Sequence, residues 1–96
     1  MEGLIVPMIK HLNIQIYGRV QGIFFRATAR EIADKLGIKG FARNEPDGSV
    51  YIEAEGEAEN LDKFIKWCNI GPSMADVEKV VVTEGQLKNF NDFEVY

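Results

Sequence analysis

Residues 18–26, with the sequence GRVQGIFFR, combine two glycines and an arginine in a pattern that suits anion binding. We refer to this stretch as the anion loop. It joins a stretch of alternating polarity, typical of a strand, to a stretch with helical periodicity. Backbone N–H groups at a helix start lack intrahelical partners, and the helix dipole behind them favours bound phosphate or sulfate. Arg26 would be unfavourable in the first helical turn unless an anion shared the site. The pattern therefore predicts a site for an anion such as a phosphoryl group.

The anion loop also has a plainer interpretation, a strand-to-helix turn that carries a solvated arginine. The motifs G-x-x-x-x-G-K-[ST] and G-x-G-x-x-G are absent from the sequence, so nucleotide binding of the P-loop or Rossmann type is not indicated. We expect Arg19 and Arg30 to be solvated charges. We expect the Gln21 side chain to brace the turn, although it could also contact a substrate.

The elements around the anion loop follow from hydrophobic periodicity. Apolar and polar residues alternate over 11–17, which predicts a strand that ends at Gly18. Apolar residues then recur at helical spacing over 25–36, which predicts a helix that ends before Gly37. A second strand is predicted over 39–44, and a Pro-Asp-Gly tip separates it from a third strand over 50–55.

The second half of the chain contains one more predicted helix and two more predicted strands. A second amphipathic helix is predicted from about Glu57, followed by a largely buried strand over 77–83 and a short strand at 93–95. The order βαββαβ, with a short extra C-terminal strand, places both helices on one face of an antiparallel sheet. The sequence thus predicts a ferredoxin-like α/β (α+β) sandwich over residues 10–96, and a loosely attached N-terminal extension over residues 1–9.

Composition restricts the classes of partner. The net charge of −4 and the pI of about 4.9 argue against a nucleic-acid or anionic-membrane binder. The single cysteine, Cys68, allows no intrachain disulfide, which favours a reducing compartment, and His11 has no second histidine with which to share a metal. The apolar run near the N-terminus is too short for a membrane span and lacks a basic flank. We therefore expect a cytoplasmic monomer.

Several further side chains are given structural roles. Cys68 is expected to be a small buried hydrophobe, His11 a surface residue, and Thr28 a residue that could line the site. Four aromatic residues are expected to be core or packing residues, and not to form a stacking platform: Phe24, Phe25, Phe41 and Trp67.

Two segments carry a family resemblance. The anion loop closely resembles the signature loop of the acylphosphatases, and residues 40–44, with the sequence GFARN, resemble the family's second signature, a Gly-aromatic-x-basic-Asn segment. Asn44 follows Arg26 by 18 positions, as in the family, and the resemblance covers essentially residues 10–96. One departure is Glu45, which stands where many relatives have a small hydroxyl residue and places a negative charge near the anion loop.

The resemblance implies hydrolysis of the carboxyl–phosphate bond of small-molecule acyl phosphates, with no metal and no cofactor. It implies that Arg26 binds the phosphoryl group and that Asn44 positions the attacking water. Phosphoryl transfer depends mainly on positioning and electrostatics, and a carboxylate is a good leaving group, so a neutral asparagine that orients water would suffice. The residues implied to bind the substrate are those of the loop interior: Val20, Gln21, Gly22, Ile23, Phe24 and Phe25.

Two other functions share the predicted fold. An RNA-recognition module has the same topology, and residues 39–42 resemble the start of its aromatic motif, but the match falls on the second strand and the protein is acidic. Acylphosphatase-like domains also begin large hydrogenase-maturation carbamoyltransferases, where the loop serves carbamoyl phosphate. The absence of following zinc-finger cysteines favours a free-standing enzyme.

Overall fold

Two helices pack on one face of a five-stranded sheet in the computed structural model, which describes residues 7–96. The sheet has the strand order β4-β1-β3-β2-β5. The elements are β1 (Ile9–Arg19), α1 (Phe25–Lys35), β2 (Lys39–Asn44), β3 (Val50–Glu57), α2 (Ala58–Cys68), β4 (Asp76–Gly85) and β5 (Phe93–Val95). The ferredoxin-like fold predicted from the sequence is confirmed.

The core lies between the sheet and the helices. Alternate residues of β1 and β3, such as Ile14 and Ile52, are fully buried, and they form one cluster with Phe25 of α1 and with Leu61 and Phe64 of α2. A two-residue period in the strands and a helical period in α1 and α2 direct these side chains to one layer. The rigid layer fixes the strand end and helix start that flank the anion loop.

The first strand begins at Ile9, slightly before the predicted start. Ile9 pairs with Glu57, and the carbonyl oxygen of Met8 accepts a hydrogen bond of 2.9 Å from the N–H group of Ala58. Residues 1–6 of the predicted N-terminal extension lie outside the described residues. Neither helix in the described part of the chain is long and apolar enough to cross a membrane.

The fourth strand differs from the prediction of a largely buried strand. β4 is an edge strand that pairs with β1 alone, and most of its residues are exposed, with Val81 at 42% and Val82 at 39%. A continuous apolar run is also compatible with an edge position, because the run does not specify how many neighbours the strand has. The prediction of burial is wrong for this element.

The sheet is mixed, whereas the sequence predicted an antiparallel one. β1 to β4 pair antiparallel, but β5 runs parallel to β2, with Gly40 opposite Phe93 and Ala42 opposite Val95. The chain leaves β4 at one edge and re-enters at the opposite edge. Residues 86–92, which we call the crossing segment, therefore pass over the sheet face that the helices leave open.

The crossing segment explains an unexpected position for His11. This side chain is only 1% exposed, with Nδ1 2.8 Å from Oε2 of Glu55 and Nε2 3.0 Å from Oδ1 of Asn13. Phe90 of the crossing segment stacks over its ring at a centroid distance of 5.8 Å. The prediction of a surface histidine is therefore wrong, because Glu55 and Phe90, which cover the ring, come from distant parts of the chain.

The side-chain carboxylates of Glu53 and Glu55 lie beneath the crossing segment and accept hydrogen bonds from it. The N–H groups of Lys88 and Phe90 both donate to Glu55, and Lys88 Nζ lies 2.8 Å from Oε1 of Glu53. Burial alone would raise the pKa of each carboxyl. The hydrogen bonds from Lys88, together with those from His11 to Glu55 and from Tyr51 to Glu53, outweigh that effect and lower both pKa values.

Cys68 is fully buried at the end of α2, as predicted. Burial raises the pKa of its thiol far above the ordinary value, because the thiolate would have to leave water. The thiol is therefore a small apolar core group.

Candidate active site

The anion loop begins where the backbone of β1 lies very close to that of β4. Gly18 has a φ of 128°, and a Cβ atom there would lie 2.1 Å from the main-chain oxygen of Asp76. Only glycine allows this close approach without moving a strand. The β1–β4 pairing shifts register at this point, between Tyr17 and Gly18, so the strand ends with a local irregularity. The end of β1 is thereby turned toward the start of α1.

The loop then enters α1 through a left-handed residue. Phe24 has φ 63° and ψ 23°, and α1 starts at the next position. The main-chain oxygen of Phe24 accepts hydrogen bonds from Thr28, at 3.0 Å from its N–H group and 2.8 Å from its hydroxyl. Thr28 therefore stabilises the first turn and does not line the cavity. Phe24 makes no side-chain capping hydrogen bond, and the first turn has no acidic residue, so the start of α1 suits an external anion.

A cavity of about 260 Å³ lies over this helix start. Arg26 comes from α1 and Asn44 from the last position of β2, so the fold brings the two implied catalytic residues to one site. The residues that line the cavity are Val20, Gly22, Phe24, Phe25, Arg26, Ala27, Asn44 and Val95.

Four of the six implied substrate-binding residues line this cavity, and Gln21 and Ile23 do not. Ile23 packs against the core instead. Phe25 is only 2% exposed and packs against Trp67 with the rings tilted, at a centroid distance of 5.2 Å, as expected for a core residue. Phe24 differs, because it is 82% exposed. The prediction that Phe24 is a core or packing residue is wrong, since the left-handed backbone points its side chain out of the loop.

Arg26 already contacts a main-chain oxygen at the cavity. Its Nη1 donates a hydrogen bond to the main-chain oxygen of Tyr96, and the N–H group of Tyr96 donates to Ala42 of β2 at 3.0 Å. The guanidinium is thus held where oxygen ligands are accessible to it. Arg19 and Arg30 are exposed, as predicted for solvated charges.

Sequence reasoning missed three residues at this site: Ala27, Val95 and Tyr96. Ala27 could have been inferred from its place in the first turn of α1. The other two reach the site only because β5 pairs in parallel with β2, and no local pattern in the sequence indicates that pairing.

The Gln21 side chain braces the loop, as predicted. Its Nε2 donates hydrogen bonds of 2.8 Å to the main-chain oxygens of both Glu45 and Ser49. The Ser49 hydroxyl is itself 2.6 Å from Oδ1 of Asp47 and 2.7 Å from Nε2 of Gln15. The hydrogen bond from the Ser49 hydroxyl, with a second from its N–H group, lowers the pKa of Asp47. The loop is thus tied to the β2–β3 turn that follows Asn44.

Glu45, the residue that departs from the family pattern, is paired with a cation. Its Oε1 lies 3.3 Å from both Nε and Nη2 of Arg43. The Arg43 guanidinium in turn lies over the ring of Tyr51, 4.9 Å from its centroid. The negative charge beside Asn44 is therefore partly compensated. Within residues 7–96, no three histidine, cysteine, aspartate or glutamate side chains are grouped so as to hold a metal ion.

Comparison with known proteins agrees with the resemblance in the two signatures. The family model described as acylphosphatase matches residues 12–95. An acylphosphatase of Archaeoglobus fulgidus is 46% identical over 84 residues, which cover 88% of this chain and 94% of the relative.

Solved structures give the same result. The structure of an acylphosphatase from Coxiella burnetii is similar with a TM-score of 0.89 and 31% identity, over 92% of this chain and 93% of that chain. Full-length HypF, in its phosphate- and nucleotide-bound form, is similar with a TM-score of 0.84 and 33% identity, over 95% of this chain but 12% of its own. The match over most of the sequence and of the fold shows that the chain belongs to the acylphosphatase family.

Proposed function

We propose that the protein hydrolyses the carboxyl–phosphate bond of acyl phosphates, releasing a carboxylate and inorganic phosphate, without a metal or cofactor. One observation carries this proposal: Arg26 and Asn44, from α1 and β2, line the same cavity at a helix start that lacks a capping side chain. Membership of the acylphosphatase family supports the reaction type.

The phosphoryl group would be held by the anion loop. Backbone N–H groups of residues 20–26 and the Arg26 guanidinium supply donors to its non-bridging oxygens, over which charge is spread in a loose transition state. The phosphoryl oxygens would replace the main-chain oxygen of Tyr96 as the partner of Arg26. Electrostatic stabilisation of this kind needs no proton transfer by the protein.

Asn44 would orient the attacking water. Its carboxamide is neutral, so it fixes the water by hydrogen bonding and does not act as a base. The leaving carboxylate is stable without protonation, which removes the need for a general acid. The proton of the water would pass to a phosphoryl oxygen of the substrate. The bond from water oxygen to phosphorus forms as the bond from phosphorus to the acyl oxygen breaks.

We further propose that the protein acts as a monomer in the cytoplasm, on a small-molecule substrate and on neither nucleic acid nor membrane. The acidic net charge of −4 supports the lack of a polyanionic partner. The single buried cysteine is consistent with a reducing compartment. A filter-binding assay at low salt would contradict this view if the protein retained RNA.

Hydrolysis of benzoyl phosphate in the presence of a chelator tests the proposal. Arg26→Ala and Asn44→Ala should each lower kcat/KM by roughly 10²-fold or more, since each removes a transition-state contact. Arg30→Ala is the matched control, because it removes an exposed arginine of the same helix and should retain turnover. Inorganic phosphate should inhibit competitively.

Two results would count against the proposal separately. Full turnover by Arg26→Ala would overturn the site assignment. Loss of turnover on adding the chelator would overturn the metal-free mechanism.

A further inference from the structure

Phe24 has an unusual position for an aromatic residue. At 82% exposure it is the most exposed of the large hydrophobic side chains in residues 7–96. Its φ of 63° lies in the left-handed region, which a bulky residue adopts at a cost that glycine avoids. Exposure and backbone strain both disfavour phenylalanine here, and neither is offset by packing, since none of the aromatic pairs found in the described residues includes Phe24.

The neighbouring residues fix the outward direction of Phe24. Phe25 is buried against Trp67, and the main-chain oxygen of Phe24 is bound by Thr28. The two phenylalanines therefore differ in role, with Phe25 anchoring the loop to the core and Phe24 standing at the cavity. Movement of Phe24 into the core would require α1 to start differently.

The chemistry of the cavity lining leaves one part of an acyl phosphate without a partner. Six of the eight lining residues are apolar or glycine, and the two polar ones, Arg26 and Asn44, are assigned to the phosphoryl group and the water. Val20 and Phe25 are buried in the core, with 1% and 2% exposure. Phe24 is thus the one large apolar side chain of the lining that is mostly exposed to solvent, and a ligand in the cavity could contact it.

We propose that Phe24 contacts the acyl group of the substrate and gives the site a preference for aromatic acyl phosphates over acetyl-sized ones. This inference rests on the proposed function and adds the substrate class to it. An aromatic acyl group offers a flat apolar face to the exposed ring of Phe24, and stacking of two rings is favourable beyond the burial of their area. A methyl group offers far less contact.

Phe24→Gly is a suitable test variant, because glycine accepts the left-handed backbone and the loop should keep its shape. Binding of benzoylphosphonate and acetylphosphonate, which cannot be hydrolysed, is measured by calorimetry. The kcat and KM values for benzoyl phosphate and acetyl phosphate are measured in parallel. In Phe24→Gly, benzoylphosphonate should bind about fivefold more weakly relative to acetylphosphonate. The KM for benzoyl phosphate should rise by a similar factor, and Phe24→Trp should restore the preference.

Asn89→Gly is the matched control. Asn89 is the other residue in 7–96 apart from glycine that has a positive φ, at 59°, and it does not line the cavity. Its replacement relieves a similar backbone strain, so it should leave the ratio of the two phosphonate affinities unchanged.

An unchanged ratio in Phe24→Gly would overturn the acyl contact, as would a loss confined to kcat. If the wild-type protein hydrolysed neither acyl phosphate, the proposed function would fail. The phosphonate affinities would still decide the role of Phe24 in that case, because they do not require turnover.

Discussion

Gln21 and Ser49 are joined by a hydrogen bond of 2.8 Å, from the Gln21 carboxamide in the anion loop to the main-chain oxygen of the residue that precedes β3. The same Nε2 atom donates to Glu45 at the same distance, directly after Asn44. One side chain thus holds both ends of the turn between β2 and β3 against the loop. The separation between the phosphoryl site and Asn44 therefore depends on Gln21.

Replacement of Gln21 should separate rate from binding. We expect Gln21→Leu to lower kcat for benzoyl phosphate about tenfold, because small displacements of a reacting group reduce the rate strongly. The inhibition constant of phosphate should change by less than about threefold, since the loop N–H groups and Arg26 remain. Steady-state kinetics with phosphate as inhibitor measure both.

A control for this variant is Gln15→Leu, which removes the hydrogen bond of 2.7 Å to the Ser49 hydroxyl without touching the loop. It should lower the free energy of unfolding by about 1 kcal/mol and leave kcat nearly intact. A Gln21→Leu variant that retained kcat and lost only phosphate affinity would show that Gln21 contacts the substrate instead.

Much of this arrangement could be predicted from local patterns. The bounds of β2 agree with the prediction at both ends, because a helix stop precedes it and a Pro-Asp-Gly tip follows it. The pairing of Arg26 with Asn44 came instead from the resemblance of their two segments to the acylphosphatase signatures. Gly18 ended the predicted strand close to its true end at Arg19.

Two of the errors, at His11 and in β4, arise from the arrangement of segments that are distant in sequence. His11 is buried because Glu55 and Phe90 reach it from 44 and 79 positions away. Val81 and Val82 are exposed because β4 has a single neighbour, a matter of strand order and not of composition. The exposure of Phe24 depends on one left-handed residue, and two adjacent phenylalanines give no sign of which one points outward.

Glu45 should weaken anion binding even though it is paired with Arg43. We expect Glu45→Gln to lower the inhibition constant of phosphate by about twofold to threefold at low salt, because it removes a negative charge next to Asn44. Arg43→Gln should raise that constant, since it leaves the Glu45 carboxylate uncompensated. Glu57→Gln is the control, because Glu57 lies at the end of β3 that is far from the turn containing Glu45, and it should have no effect. The difference should shrink at high salt, and an effect that persisted there would argue against a charge mechanism.

Gly18 should tolerate no side chain. In Gly18→Ala the new Cβ atom would lie 2.1 Å from Asp76 O and 2.8 Å from Glu78 N, both backbone atoms that cannot rotate away. We expect a loss of about 3 kcal/mol or more in the free energy of unfolding. Gly48→Ala is the control, because Gly48 also has a positive φ but its Cβ would meet nothing within 4 Å, so a loss of about 1 kcal/mol is expected. Urea unfolding measures both, and equal losses would show that strain in φ alone determines the requirement.

The buried carboxylates under the crossing segment should make stability depend on acid pH. The pKa values of Glu53 and Glu55 lie below the ordinary value of 4.5, so their stabilising contribution is fully present above that pH and is lost as the pH falls through the folded-state values. Glu55→Gln cannot ionise, and it weakens the bonds from His11 and from the crossing segment. We expect it to lower the free energy of unfolding by about 2 kcal/mol at neutral pH, and the difference from wild type to shrink as the pH falls below 4.5.

Urea unfolding across this pH range tests the expectation, with Glu84→Gln as the control. Glu84 is 62% exposed and forms only a surface ion pair of 3.9 Å with Lys10, so its replacement should change stability by less than about 0.5 kcal/mol at every pH. A difference between wild type and Glu55→Gln that stayed constant from neutral to acid pH would mean that the Glu55 charge does not stabilise the crossing segment. Packing of Phe90 on His11 would then have to account for its attachment to the sheet.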